Sequence, residues 1–320
     1  MEVSLRLLRE ALAASERHPV FSCVLYTFLS GTSWPIAYVG FAYARSVDDS
    51  VDGEEDAARA LSILARQREL MDSVYAGDPA PREGALRDRM GGVVFAWDAR
   101  NGSRLRPSLA ALLELIRFDV ERRGQPLPQA ELDRYALRLG NASLEYLACF
   151  VAPDTELPAP FVASVSRAYI RADALMDLSE DLRMGIINVP AERLEPLRIV
   201  AGPLPSAVRS WIREEADAVT TLFEVALSEA RRLPVPPLRR LAILRLRRKR
   251  RLLLRHLRAG RRDDEVRSNG PSREGEGPQI FWRAAPAQGN PRPELEVGAD
   301  VSSAVPGLGV DDDRGVEVAR

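Results

Sequence analysis

Seven acidic residues in two clusters are the side chains of this chain whose type and spacing could do chemistry: Asp48, Asp49 and Asp52 in YARSVDDSVD, then Asp173, Asp177, Glu180 and Asp181 in ADALMDLSED. Their steps of three and four put each cluster on one face of a helix. Two unit negative charges ~4 Å apart repel by roughly 4 kcal/mol at an effective dielectric near 20, so two such faces come together only around cations or with raised pKa values. The pattern points to a magnesium site that holds a diphosphate. Two plainer readings compete for the first cluster. A solvated acidic face is one, although the acids directly follow the uncharged run PIAYVGFAYA, which reads as buried. A calcium loop is the other: Asp48, Ser50, Asp52, Gly53 and Asp56 fit its early positions, but its last ligand position falls on Arg59, a cation where a bidentate Glu is required.

The rest of the composition narrows the metal. Only His18, His256, Cys23 and Cys149 offer nitrogen or sulfur, without zinc-type spacing, so the ligands are oxygens and suit Mg²⁺, Ca²⁺ or Mn²⁺. Two cysteines argue against a disulfide framework, which makes the cytoplasm the expected location. With 320 residues, 46% of them hydrophobic, and a net charge of −1, the chain can bury a large core and has no basic field for nucleic acid.

Positioning these acids requires helices. EEDAARALSILARQRELMDSVY, PSLAALLELIRFDVERRG and PQAELDRYALRLGNASLEYLACFV carry apolar residues at helical spacing, while alternating strand patterns are hard to find. Breaks fall at AGDPAPREG, RRGQPLP, APDTELPAP and AGPLP, leaving about eight helices in one all-α domain over residues 1–259. The uncharged stretch from Val20 to Ala44 is long enough to raise a membrane span, but SGTSWP inside it reads as a turn in a buried helical hairpin. Residues 260–320, rich in Gly, Pro, Ser and charge, read as a disordered polar tail, with IFWR as an isolated apolar element.

At the acidic residues the chain resembles the squalene/phytoene synthase family. Tyr43, Arg45, Asp48, Asp49 and Asp52 match its first motif; Asp177, Glu180 and Asp181, followed by Gly185 and Pro190, match its second. The intervening IRFDVERRGQPLPQAELDRYALRLGNA is similar to the segment bordering the family's cavity, and the likeness spans roughly residues 20–258. The resemblance implies a single-domain, all-α bundle of the isoprenoid synthase type around a central apolar cavity. It implies Mg²⁺, or Mn²⁺, held by Asp48, Asp49, Asp52, Asp173, Asp177, Glu180 and Asp181. Asp48, Asp52, Asp177 and Asp181 become the catalytic carboxylates, and Arg45 and Tyr43 the diphosphate contacts. The implied reaction is Mg-dependent prenyl transfer: an allylic farnesyl or geranylgeranyl diphosphate ionises and two chains condense head-to-head, with NADPH required only for a squalene product.

The chain departs from the family pattern where a Gln and an Asn usually precede the second motif, and an Arg and a Tyr stand between its Gly and Pro. Those positions hold Ile170, Asp173, Ile186 and Asn188. The family's early Ser-x-Ser-Phe element reduces to Ser22, and its small-residue element becomes LGNASLE around Gly140 and Asn141. These losses keep two alternatives open: a terpene cyclase or prenyltransferase using a single diphosphate, and a non-catalytic scaffold.

Residues 239–262 hold twelve Arg and Lys and no acid. Such a run suits peripheral contact with an anionic membrane, placing the protein on its inner face; the plainer reading is compositional, because Lys249 is the only lysine in an arginine-rich chain. Nucleic acid is not expected, since no aromatic side chains interleave the charge.

Overall fold

Apolar residues at helical spacing fold into eleven α-helical segments, with no strand among the described residues of this computed structural model, which are 3–14, 34–102, 105–151, 155–194 and 206–269. The segments are α1 (Leu5–Ala14), α2 (Trp34–Asp52), α3 (Ala57–Ala76), α4 (Leu86–Asn101), α5 (Leu105–Glu121) and α6 (Gln129–Val151), followed by α7 (Ala159–Met176), α8 (Leu178–Arg183), α9 (Ala191–Leu194), α10 (Ser206–Arg232) and α11 (Pro236–Asn269). The excess over the expected eight includes the two short pieces α8 and α9, which the apolar periodicity is too brief to announce. The expected hairpin turn at SGTSWP, Ser22 and the segment beyond Asn269, with IFWR, lie outside the described residues. No helix among the described residues is long and apolar enough to cross a membrane. The last helix runs through Gly260 to Asn269.

Two apolar cores lie end to end in the chain. Helices α1 to α6 enclose the first, built on Tyr38, Val47, Met71, Phe95, Leu109 and their neighbours. Helices α7 to α11 enclose the second, around Val165, Trp211, Val219, Phe223 and Leu246. Helix α7 packs on α6, α10 and α11 and so joins the halves. Asp56, a candidate calcium ligand in the loop reading, caps α3 instead: its side chain accepts from the Ala58 amide at 2.9 Å.

The α6–α7 crossing depends on one missing side chain. A Cβ on Gly140 would stand 2.3 Å from Ser166 Cβ and 2.5 Å from Ser166 Cα, distances no packed atoms sustain. Ser166 Oγ donates to Val162 O at 2.7 Å or to Asn141 Oδ1 at 2.9 Å, so the crossing is also polar. In an open helix Gly→Ala stabilises by roughly 0.5–1 kcal/mol; here the sign reverses. Gly140→Ala is expected to destabilise by about 1–3 kcal/mol as the crossing is forced apart, read as a lower midpoint in thermal unfolding followed by circular dichroism.

Candidate active site

The first cluster occupies the last turn of α2. Tyr43, Val47 and Val51 form the buried stripe of that helix, and the period of 3.6 sends Arg45, Asp48, Asp49 and Asp52 to the other side. Arg45 donates to Asp48 Oδ2 at 2.6 Å and to Asp49 Oδ1 at 2.8 Å. Asp49, with 46% of its side chain exposed, is the outermost acid of this cluster. Tyr43 goes elsewhere: it is fully buried, edge-on to Phe95 with ring centroids 5.3 Å apart, and its hydroxyl has no hydrogen-bond partner. Its position two residues before Arg45 suggested a diphosphate contact, but the helix turns it into the first core.

The second cluster does not share one helix. Helix α7 ends at Met176, Asp177 breaks the spiral with φ −98° and ψ 4°, and α8 starts at Leu178. The backbone stays connected across the break, with Asp177 N donating to Asp173 O and Asp181 N to Asp177 O, both at 2.8 Å. The Asp177 side chain makes no capping bond to α8, so its carboxylate is left for other partners. Asp173 is paired with Lys249 of α11, and Glu180 points to solvent beside Arg183, 64% exposed. Burial pulls the Lys249 ammonium down to about 8.

Asp119, near the end of α5, lies within electrostatic reach of both clusters. Burial pushes Asp48 above the usual carboxylate range, with Asp49 and Asp119 adding to the rise against Arg45. Asp52 is pushed up to about 7, first by burial and then by Asp48, with Asp119 contributing. Asp181 is pushed up to about 7 by burial, against a hydrogen bond from Asn188, with Asp177 and Asp119 adding repulsion. Burial and Glu180 raise Asp177, while His256 and Arg45 oppose the rise. The charge of Asp119 therefore bears on Asp48, Asp52 and Asp181 alike, and that of Arg45 on Asp177 as well as on its own helix.

The turn after α5 ties the clusters to each other. Arg123 donates to Glu54 O at 2.7 Å and Val51 O at 3.0 Å, holding the carbonyls that end α2. Gly124 N donates to Gly185 O at 2.7 Å, and Gly185 is left-handed with φ 80°, a conformation glycine adopts without strain. Arg122, 1% exposed, donates to Asp119 Oδ1 at 2.7 Å, Ile187 O at 3.2 Å and Asn188 Oδ1 at 2.7 Å. Asn188 passes the link on, donating through Nδ2 to Asp181 Oδ2 at 2.9 Å. Tyr135 donates to the second oxygen of Asp119.

Asp119 and Arg122 are the site residues the sequence reading left out, and Asn188 entered it only as a departure from the family pattern. FDVERRG showed the acid, but nothing in an arginine at the end of an amphipathic helix marks it as buried. Ile186 carries no charge into the site; the buried cation next to that loop is Arg122.

The donor set suits a hard divalent cation. Among the described residues no three His, Cys, Asp or Glu side chains converge to hold a metal ion. Magnesium keeps several waters and takes one or two carboxylates plus substrate phosphate oxygens, so it does not require a closed protein cage. Asp48 adds to the rise of Asp52 and Asp177 to that of Asp181, and these four are the acids whose repulsion a cation would relieve.

Comparison with known proteins agrees with this geometry. The crystal structure of squalene synthase HpnC from Alicyclobacillus acidocaldarius aligns with a TM-score of 0.62 at 22% identity, over 81% of this chain and 97% of that one. A dehydrosqualene synthase crystallised with ligand aligns with a TM-score of 0.56 at 17% identity, over 77% and 84%. No curated protein matches significantly. At these identities the likeness establishes the all-helical fold. The family model described as squalene/phytoene synthase matches residues 28–271, a span that includes both acidic clusters and the turn between them. The chain is a member of the squalene/phytoene synthase family.

Proposed function

We propose that this protein is a Mg²⁺-dependent prenyltransferase that ionises an allylic isoprenyl diphosphate and joins two of them head-to-head. The observation that supports this reading most directly is the placement of Asp48, Asp52 and Asp181 within the field of one buried aspartate, Asp119. Asp48 and Asp52 would hold metal from α2, Asp177 and Asp181 from the α7–α8 break. A divalent cation held by these carboxylates would supply the charge that neutralises the diphosphate leaving group as the allylic C–O bond ionises. Arg45 is already beside Asp48 and Asp49, and its fork can turn to a phosphate oxygen when those acids take a cation. Keeping water from the allylic cation would fall to the apolar side chains of the surrounding helices. Mn²⁺ fits the same oxygen donors, and NADPH enters only if the product is squalene.

The substrate class follows from the family and the chain length does not, so farnesyl and geranylgeranyl diphosphate are both to be tested. Protein given either substrate with Mg²⁺ is expected to release pyrophosphate and yield a hydrocarbon of doubled carbon count by mass spectrometry. An unchanged carbon count would mean cyclisation of a single diphosphate. Absence of Mg-dependent pyrophosphate release with every chain length would leave a scaffold that keeps the fold. Asp48→Asn and Asp177→Asn should each lower turnover on the order of 10²-fold or more, with unchanged helical circular dichroism; full activity in either variant would refute the metal assignment.

The same carboxylates predict a pH effect on the metal-free protein. Asp52 and Asp181 have folded-state pKa values raised from 3.8 to about 7. A raised carboxylate contributes stability below its unfolded pKa and loses it as pH rises through the folded value. In EDTA the unfolding temperature should fall between pH ~5 and ~8, and Mg²⁺ should restore it at the upper end by binding the ionised form. A flat profile in EDTA, with no effect of Mg²⁺, would contradict this.

A peripheral membrane contact would suit a lipophilic product. Helix α11 buries Leu238, Leu241, Leu246 and Leu253 and presents outward a cleft lined by Leu244, Arg248, Arg251, Leu252 and Arg255. Leu244 is 42% exposed among these arginines, the pairing of apolar and cationic groups that binds anionic interfaces. Co-sedimentation with phosphatidylglycerol vesicles should exceed that with phosphatidylcholine, fall with salt, and drop severalfold in a triple Arg248→Ser, Arg251→Ser, Arg255→Ser variant. Equal binding to both lipids would remove this assignment.

A further inference from the structure

Asn188 sits between a cation and an anion, and the two neighbours fix which way its amide faces. Oδ1 accepts from Arg122 at 2.7 Å and Nδ2 donates to Asp181 at 2.9 Å. A flipped amide would turn NH₂ against the guanidinium and the carbonyl against the carboxylate, unfavourable on both sides. Arg122 is itself immobilised. Its Nε bonds Asp119 at 2.7 Å, Nη1 bonds Ile187 O at 3.2 Å, and its Cζ lies 5.0 Å from the Tyr135 ring centroid. Tyr135 in turn bonds the free oxygen of Asp119. One face of Asp181 is thus set by a chain of buried contacts that starts on α5 and α6, outside its own helix.

We propose that Arg122 and Asn188 act as a positioning relay that aims the Asp181 carboxylate at the cation and diphosphate it shares with Asp48 and Asp52. This rests on the diphosphate reading of the site. A hydrogen bond to one oxygen of a ligating carboxylate selects the oxygen left for the metal, and the loss of such an outer partner typically lowers metal affinity ~10–100-fold. Asn188 occupies the position where the family pattern has Tyr, and its short amide bonds Arg122 and Asp181 at once through two separate atoms.

The test is calorimetric binding of Mg²⁺ with inorganic pyrophosphate, which needs no turnover. Asn188→Ala should weaken binding about 10-fold or more while the metal-free protein keeps its helical signal. Asn188→Asp fills the same volume and keeps an acceptor for Arg122, but sets a carboxylate against Asp181; it should weaken binding at least as much. Asp181→Asn serves as the reference. If the parent binds and Asp181→Asn loses binding while both Asn188 variants stay within about twofold of the parent, the relay is wrong and the site assignment stands. If the parent does not bind, or Asp181→Asn binds like the parent, the diphosphate reading fails and the relay with it. Arg122→Lys, which keeps the charge and loses the fork, should fall between parent and Asn188→Ala; parent-like affinity there would remove Arg122 from the relay.

Discussion

Repulsion between like charges is the force this site has to contain, and the turn Arg122-Arg123-Gly124 is what contains it. Asp119 bears on acids of both clusters, and left to themselves those acids would separate. Arg123 grips the end of α2, Gly124 bonds Gly185, and Arg122 enters the loop that follows α8. Three consecutive residues thus tie the two acidic segments to one helix end. A guanidinium this buried is costly unless every donor has an acceptor. Here the acceptors are Asp119, a backbone carbonyl and an amide, so the cation also neutralises Asp119.

What remains uncompensated is the charge of Asp52 and Asp181. Asp52 and Asp181 are held with pKa values near neutrality because burial and neighbouring carboxylates disfavour their charge. Such groups weaken the metal-free protein and favour any cation that brings its own phosphate oxygens. At the break between α7 and α8 the Asp177 side chain caps neither helix, which leaves its carboxylate uncommitted.

The departures from the family pattern are linked in space. Asp173 stands where the family has an amide, and it is paired with Lys249, the only lysine of the chain. Asn188 stands where the family has a phenol, and it joins Arg122 to Asp181. Ile186 brings no cation, while Arg122 reaches the adjacent residues from the turn after α5. Two of these three replacements therefore come with a charged partner distant in sequence, a pattern of substitution with compensation.

The periodicity of apolar residues determined the all-helical class, because a 3.6-residue repeat and the scarcity of alternating runs leave no other way to bury so much Leu, Ala and Val. Residue chemistry determined the oxygen-only donor set: with two His and two Cys, carboxylates are what the chain offers. Spacing alone gave Asp48 and Asp52 a common face. It also placed Asp173 on the second acidic face, and the family resemblance added Tyr43, but neither could decide there, since the direction of a side chain depends on what packs against its helix. Phe95 holds Tyr43 in the core, and Lys249 holds Asp173 from 76 positions away. The burial of Arg122, the break at Asp177 and the encounter of Gly140 with Ser166 were decided by tertiary structure for the same reason. Each is set by contacts between segments distant in sequence, about which a local pattern carries no information.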